Sequence, residues 1–236
     1  MPHIMLCTGE VVDVTDVEAG QKLNNRVLSQ SLARMPRFAG QTTRPYSVAG
    51  HTIFCAGLAD DLETFAQCTL HDSAEAIMGD MPRPVKKLMP EFRDTEEMLL
   101  YRIFAAYRSD AYPLTLPLLP VVKRIDNLVL AIEASQFMPG WHDENEYWAE
   151  QRELINRYGI PDIEYESLLN AHRMENTLNI LLVGILTERE VETTWGVDAL
   201  TGTEWVGLRA LIDYTVPGMK QAREMLKEKG FYDAVS

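Results

Sequence analysis

The residues best suited to chemistry are an adjacent histidine and aspartate, His71 and Asp72, followed three residues later by Glu75. His51 lies upstream of this pair and Asp126 lies downstream. Two imidazoles and two carboxylates form a ligand set suited to a borderline divalent transition metal. On a helix, Glu75 projects from nearly the same face as Asp72, where it could take a proton from a metal-bound water. These five residues predict an enzyme in which Glu75 is the catalytic base.

An adjacent histidine and aspartate alone carry little information, and the pair His142–Asp143 serves as a control within the same chain. It lies in a polar aromatic segment without matching partners, where we expect a surface or helix-cap pair. For His71, the alternative to a metal ligand is a hydrogen-bonded core histidine, which would need other polar partners. Asp126 lies in an apolar segment, where a buried carboxylate is costly unless a cation compensates it. We therefore predict that His71 and Asp126 are metal ligands.

Helical periodicity dominates the chain and supplies the elements that would hold these residues. The pattern predicts one helix over residues 47–58 for His51 and another over 60–77 for the His71–Asp72 pair. An apolar helix over 119–137 would carry Asp126. The other predicted segments are an extended start at 4–17, helices at 20–33, 95–107, 144–158, 203–214 and 218–229, an apolar run at 178–187, and loops or breaks at 35–46, 81–84 and 112–120.

The best candidate for a domain boundary is the dipeptide Pro139–Gly140. A chain of 236 residues is long enough for one domain, or for one domain with a sizeable extension. We expect residues 1–138 to form the core with the metal site. Residues 139–236 would form a helical extension packed on or beside that core.

Composition and charge narrow the class of protein. The net charge of −13 and the sequence pI of about 4.8 exclude the basic surface that captures a nucleic-acid polymer. An anionic substrate would therefore need a local basic patch. Three cysteines without zinc-type pairing favour reduced thiols in a cytosol-like compartment. We expect a cytoplasmic protein without a secretory signal or a membrane span.

Five segments of the chain form a longer pattern: RFAGQT at 37–42, YSVAGH at 46–51, LHDSAEA at 70–76, GDMPRPVK at 79–86 and VKRID at 122–126. In these segments, and in their order, the chain resembles the HD-domain nucleotide phosphohydrolases. The most similar groups are the bacterial 5′-deoxynucleotidases and the phage-encoded deoxynucleoside triphosphate hydrolases, including dATP triphosphohydrolases. The resemblance covers roughly residues 4–137. It implies an all-α fold: a bundle-like HD core, a short extended N-terminal segment and an additional helical C-terminal region.

The resemblance also implies residues on the substrate side. It places Arg37 against the nucleotide and Asp80 near the deoxyribose 3′-hydroxyl. In the triphosphate-cleaving relatives, lysines at the positions of Lys86 and Lys123 contact the phosphate chain, and such cations would form a local phosphate trap. The alternative is that both lysines are solvated charges at helix ends. Phe38 packs on the sugar or base, or else is a core aromatic residue. Two weaker candidates for the pocket are Gln41 and Arg83.

We therefore predict divalent-metal-dependent hydrolysis of deoxynucleotides. Because both Lys86 and Lys123 are present, the first hypothesis is cleavage of a deoxynucleoside triphosphate, such as dATP, to deoxynucleoside and triphosphate. The alternative is a 5′-deoxynucleotidase that releases phosphate from deoxynucleoside monophosphates, and a third hypothesis is a nucleotide-binding HD module without turnover. Imidazole and carboxylate ligands suit Mn, Fe, Co, Ni or Zn. The resemblance further predicts a homo-oligomer, located in the host cytoplasm if the protein is phage-encoded.

Overall fold

A computed structural model describes residues 3–16, 18–107, 114, 116–141, 146–185 and 202–233, except for the side chains of 202–206. These residues are predominantly helical, which confirms the predicted all-α fold. The extended N-terminal segment is an antiparallel hairpin of β1 (His3–Met5) and β2 (Val11–Asp13). The control pair His142–Asp143, and parts of the predicted segments 112–120 and 178–187, lie outside the described residues.

The helices are, in chain order, α1 (Ala19–Lys22), α2 (Asn25–Arg34), α3 (Val48–Gly57), α4 (Leu62–Leu70), α5 (Glu75–Met78), α6 (Arg83–Lys86), α7 (Pro90–Tyr107), α8 (Pro120–Phe137), α9 (Ala149–Tyr158), α10 (Ala171–Ile185), α11 (Gly202–Thr215) and α12 (Met219–Glu228). Short 3-10 helices lie at Arg37–Gly40, Glu146–Trp148 and Tyr165–Leu169. Within the described ranges, none of the helices combines the length and the apolarity needed to cross a bilayer.

Helix α3 is the centre of the fold, because all ten of its residues are buried. Ser47 caps it by accepting a hydrogen bond from the backbone N–H of Gly50 at 3.2 Å. Gly50 also allows a close approach, since a Cβ there would lie 2.8 Å from the Tyr46 ring and 2.9 Å from the Leu168 carbonyl oxygen. Helices α2, α4, α8 and α10 pack around α3. This packing holds His51 inside the protein.

The predicted helix over 60–77 is wrong in one respect, because it is interrupted between α4 and α5. The Nδ1–H group of His71 donates to the Cys68 carbonyl oxygen at 2.7 Å. In a continuing α-helix that carbonyl would accept from the backbone N–H of Asp72. The chain instead forms tight turns, in which the N–H of Ser73 bonds to Leu70 and that of Glu75 to Asp72. The turn therefore carries the His71–Asp72 pair out of the helix and towards α3.

The C-terminal helices pack on this central helix. Apolar residues from both sides of residue 138 belong to one hydrophobic cluster, and α10 packs against α2 and α3. Arg223 of α12 donates to the carbonyl oxygen of Gly57 at 2.7 Å, and the Tyr232 hydroxyl donates to that of Leu58 at 2.6 Å. These two contacts satisfy carbonyl groups at the C-terminal end of α3. The division of the chain at residue 138 stays a prediction.

Candidate metal centre

Four donor atoms from three separate parts of the chain converge beside α3. The Nε2 atom of His51 lies 3.2 Å from Nε2 of His71, 3.4 Å from Oδ2 of Asp72 and 3.4 Å from Oδ1 of Asp126. The Nε2 atom of His71 lies 3.3 Å from Oδ2 of Asp72. The fold thus brings together the four residues that sequence analysis predicts as ligands. That they bind a metal ion stays a prediction.

Hydrogen bonds from Nδ1 orient both imidazoles. His51 Nδ1 donates to Oε1 of Glu133 at 2.7 Å, and His71 Nδ1 donates to the Cys68 carbonyl oxygen at 2.7 Å. Burial raises the pKa of Glu133, but His51 and Arg37 bring it below its ordinary value, so Glu133 is an ionised acceptor. In the neutral tautomer with Nδ1 as the donor, each imidazole has its lone pair on Nε2, and the two Nε2 atoms lie 3.2 Å apart.

The separations of the other three donors from Nε2 of His51 suit one metal ion. Ligand atoms about 2.1 Å from an ion lie about 3.0 Å apart in octahedral geometry and about 3.4 Å apart in tetrahedral geometry. The observed separations of 3.2 to 3.4 Å fall within that range. Without a cation between them, converging lone pairs repel one another. The donor set therefore fits a divalent transition metal.

The electrostatics of the site also favour positive charge. Burial lowers the pKa of the His71 imidazole, but the adjacent Asp72 carboxylate raises it well above its ordinary value. Burial raises the pKa of Asp126, but the His51 imidazole and Arg83 bring it down to about 2. The carboxylates therefore stay ionised at neutral pH, and the site attracts either a proton or a metal ion.

A further potential ligand, Cys55, lies beside the two histidines. His51, Cys55 and His71 form a buried group whose ligand atoms could hold a metal ion. The Cys55 sulfur lies 3.5 Å from Nε2 and 4.0 Å from Nδ1 of the His51 ring. If the sulfur pointed along the Nε2 lone pair, it would lie much farther than 4.0 Å from Nδ1. The thiol therefore packs against the side of the ring. Sequence analysis missed Cys55, although its spacing of four residues from His51 predicts the same helix face.

Glu75, the predicted base, is the first residue of α5 and is only 4% exposed. Its Oε2 atom is buried and has no hydrogen-bond partner within the described part of the chain. Burial and the Asp72 carboxylate raise the pKa of Glu75 well above its ordinary value, while Arg37 and Lys86 oppose that rise. A carboxylate with a free oxygen and a raised pKa has the properties of a general base.

Lys86, at the end of α6, lies between two carboxylates. Its Nζ atom is 3.8 Å from Oε1 of Glu75 and 2.8 Å from Oε1 of Glu96 on α7. The lysine is half-buried, and its hydrogen bond to Glu96 holds the ammonium group near Glu75. Sequence analysis missed Glu96, because its contact depends on how α6 packs against α7.

Arg37 is buried, with 7% of its surface exposed, and faces the same centre. Its Nη1 atom lies 3.5 Å from Oδ2 of Asp72, and its Nη2 atom donates to Oε2 of Glu133 at 3.3 Å. The guanidinium group lies 5.6 Å from the centroid of the Phe38 ring. Phe38 is half-buried against a cluster of Ala134, Trp141 and Trp148. Contact of Arg37 and Phe38 with a nucleotide stays a prediction.

The other predicted substrate residues differ in burial and in their partners. Asp80 is half-buried; burial raises its pKa, and the charges of Arg37 and Asp72 act on it in opposite directions. Lys123 is exposed on α8, and its ammonium group has no ion-pair partner in the residues that the structure describes. The two weaker candidates differ: Arg83 donates to Oδ2 of Asp126 at 2.6 Å, whereas Gln41 is exposed and bonds within its own loop.

Comparison with known proteins adds one relative. No model of a known protein family matches the sequence. The chain is 35% identical over 106 residues to YfdR of Escherichia coli (strain K12), which is described as an uncharacterised protein. The match covers 45% of this chain and 56% of YfdR, so the chain spans little more than half the length of this relative. Because that description states no activity, the function must be inferred from the site.

Proposed function

We propose that this protein is a divalent-metal-dependent phosphohydrolase that acts on deoxynucleotides. The observation that carries the proposal is the convergence of two imidazole nitrogens and two carboxylate oxygens at separations of 3.2 to 3.4 Å. A buried carboxylate with one free oxygen, that of Glu75, follows three residues after Asp72. A metal-binding donor set beside a candidate base is the arrangement that hydrolysis requires.

Each side chain has a separate role in this proposal. A metal ion held by His51, His71, Asp72 and Asp126 would supply Lewis acidity and a bound water of lowered pKa. Glu75 would accept the proton of the attacking water through its free Oε2 atom.

Cations beside the centre would bind the phosphate group. Lys86 lies 3.8 Å from Glu75, so its ammonium group is near enough to hold a phosphate oxygen beside the base. Arg37, whose Nη1 atom lies 3.5 Å from Oδ2 of Asp72, would counter the negative charge of Asp72 and of the substrate. Positioning together with electrostatic stabilisation supplies most of the catalysis in phosphoryl transfer.

The preferred reaction is release of triphosphate from a deoxynucleoside triphosphate, because Lys86 and Lys123 together could hold a long phosphate chain. One observation favours the second candidate, a 5′-deoxynucleotidase. Carboxylates already pair with three cations near the centre: Arg37 with Asp72 and Glu133, Arg83 with Asp126, and Lys86 with Glu96. A monophosphate carries less charge and would need fewer free cations than a triphosphate.

The test is product analysis with purified protein, a set of deoxynucleoside mono- and triphosphates, and Mn²⁺ or Co²⁺. Triphosphate and deoxynucleoside as products support the preferred reaction, whereas orthophosphate from monophosphates supports the second candidate. A protein that binds deoxynucleotides but releases neither product with Mn²⁺ or with Co²⁺ would contradict both reactions and leave a binding module.

A further inference from the structure

Glu133 of α8 is the most deeply buried carboxylate beside the candidate metal centre, with 0% of its surface exposed. Its Oε1 atom accepts from Nδ1 of His51 at 2.7 Å and from the Tyr46 hydroxyl at 2.7 Å. Its Oε2 atom accepts from Nη2 of Arg37 at 3.3 Å. A buried carboxylate is costly unless polar partners compensate it, and here three donors do so. The molecule therefore maintains a buried charge directly behind His51.

The two histidines of the centre differ in the group behind them. Nδ1 of His71 donates to a neutral backbone carbonyl, that of Cys68, whereas Nδ1 of His51 donates to a carboxylate. A carboxylate behind a ligating imidazole selects the tautomer, holds the ring in place and makes the opposite nitrogen a stronger donor. Only His51 receives this effect, and His51 is also the residue whose Nε2 atom lies close to all three other predicted ligands.

Glu133 also contacts Arg37, a candidate substrate-binding cation. Arg37 is shared between Glu133 and Asp72, one of the predicted ligands. The same carboxylate thus restrains a metal ligand through one oxygen and a candidate substrate-binding cation through the other.

We propose that Glu133 is the positioning residue of the metal centre: it holds His51 with Nε2 free for the metal and holds Arg37 beside Asp72. This inference rests on the metal site of the proposed function. It extends that proposal to a residue outside the predicted ligand set and outside the HD signature.

The test compares two nearly isosteric variants that change the same carboxylate environment. Glu133→Gln keeps the shape and an oxygen that can accept from His51 but removes the charge. Tyr46→Phe removes one donor to the same Oε1 atom and leaves the contact with His51 intact. We expect Glu133→Gln to weaken binding of Co²⁺ and Zn²⁺ by about 10- to 100-fold, as for other carboxylates behind ligating histidines. Tyr46→Phe should bind both ions nearly as tightly as the wild type.

A second measurement reads the tautomer of His51 directly in the wild-type protein. The chain has five histidines, so ¹⁵N NMR of histidine-labelled wild-type protein can be assigned by single substitutions. With Zn²⁺ bound, we expect His51 to keep a proton on Nδ1, hydrogen-bonded to a carboxylate, and to bind the metal through Nε2.

The outcomes separate this inference from the proposed function. Equal metal affinity in Glu133→Gln and the wild type, or metal bound to Nδ1 of His51, would overturn the role of Glu133 even if deoxynucleotides are hydrolysed. Metal binding that depends on Glu133, in a protein that hydrolyses no deoxynucleotide, would support the role of Glu133 and contradict the proposed reaction.

Discussion

Replacing Glu75 by glutamine should lower activity and raise stability at the same time. The change keeps the shape of the side chain and removes the charge that would accept the proton of the attacking water. Because Glu75 is not needed to complete the predicted ligand set, metal content should stay unchanged. The rate of hydrolysis should fall by about two to four orders of magnitude, the usual range for a lost acid–base group.

The gain in stability follows from the burial of Glu75. One of its carboxylate oxygens has no hydrogen-bond partner in the described residues, and such a group costs about 1–3 kcal/mol. The neutral amide should recover about 1–2 kcal/mol of this free energy. The recovery is partial, because the contact with Lys86 at 3.8 Å is lost with the charge.

The effect on stability should depend on pH. The pKa of Glu75 is raised above its ordinary value of 4.5 by burial and by Asp72. Between the unfolded and folded pKa values the folded state binds more protons, so the stability of the wild type falls as pH rises above about 4.5. The glutamine variant lacks this loss. Its advantage in metal-free protein should therefore be absent below that pH and grow towards neutral pH.

The assay is urea unfolding of metal-free wild type and variant at pH 4, 6 and 8, together with product release from the metal-loaded forms. Glu96→Gln is the matched control, because Glu96 binds the same lysine from a different helix, α7. Its activity should fall much less than that of Glu75→Gln. Retained activity in Glu75→Gln would show that the base lies elsewhere. A loss of stability at pH 8 would show that Glu75 is mainly a structural partner of Lys86.

Two further predictions concern the substrate and the backbone. Replacing both Lys86 and Lys123 by methionine should slow triphosphate release at least about 100-fold more than phosphate release, since each charge-assisted contact contributes about 1.5–3 kcal/mol. Equal losses of activity towards deoxynucleoside triphosphates and monophosphates would contradict the preferred reaction. Ala39 is exposed and has a φ of 50°, a left-handed conformation that costs a residue with a Cβ about 1–2 kcal/mol. Ala39→Gly should therefore raise the free energy of unfolding by about 0.5–1 kcal/mol after the entropic cost of glycine, and lower stability in thermal unfolding would refute this explanation.

Sequence periodicity predicts well those elements whose apolar residues face the core. The helices that carry His51 and Asp126 lie within one or two residues of the predicted ranges, because α3 and α8 are rich in buried apolar residues. The separate prediction that His51 and Asp126 lie close together follows from the resemblance and from the cost of a buried carboxylate at Asp126. In the fold, Nε2 of His51 lies 3.4 Å from Oδ1 of Asp126.

The features that were not predicted depend on contacts between side chains. The interruption after α4 results from a hydrogen bond of the His71 ring to a backbone carbonyl, which apolar periodicity does not register. Glu133 becomes part of the site only because α3 packs against α8. A glutamate seven residues after Asp126 in an apolar helix was the available signal, since that spacing lies on one helix face.

The most direct test of the central claim is the metal content of three proteins, measured by elemental analysis together with hydrolysis of deoxynucleotides. The wild type should hold about one divalent ion per chain. His71→Ala should lose both the ion and the activity. The control His172→Ala should keep both, because His172 is exposed and contacts Asn176 on its own helix. Full metal content and activity in His71→Ala would contradict the assignment of this cluster as a catalytic metal centre.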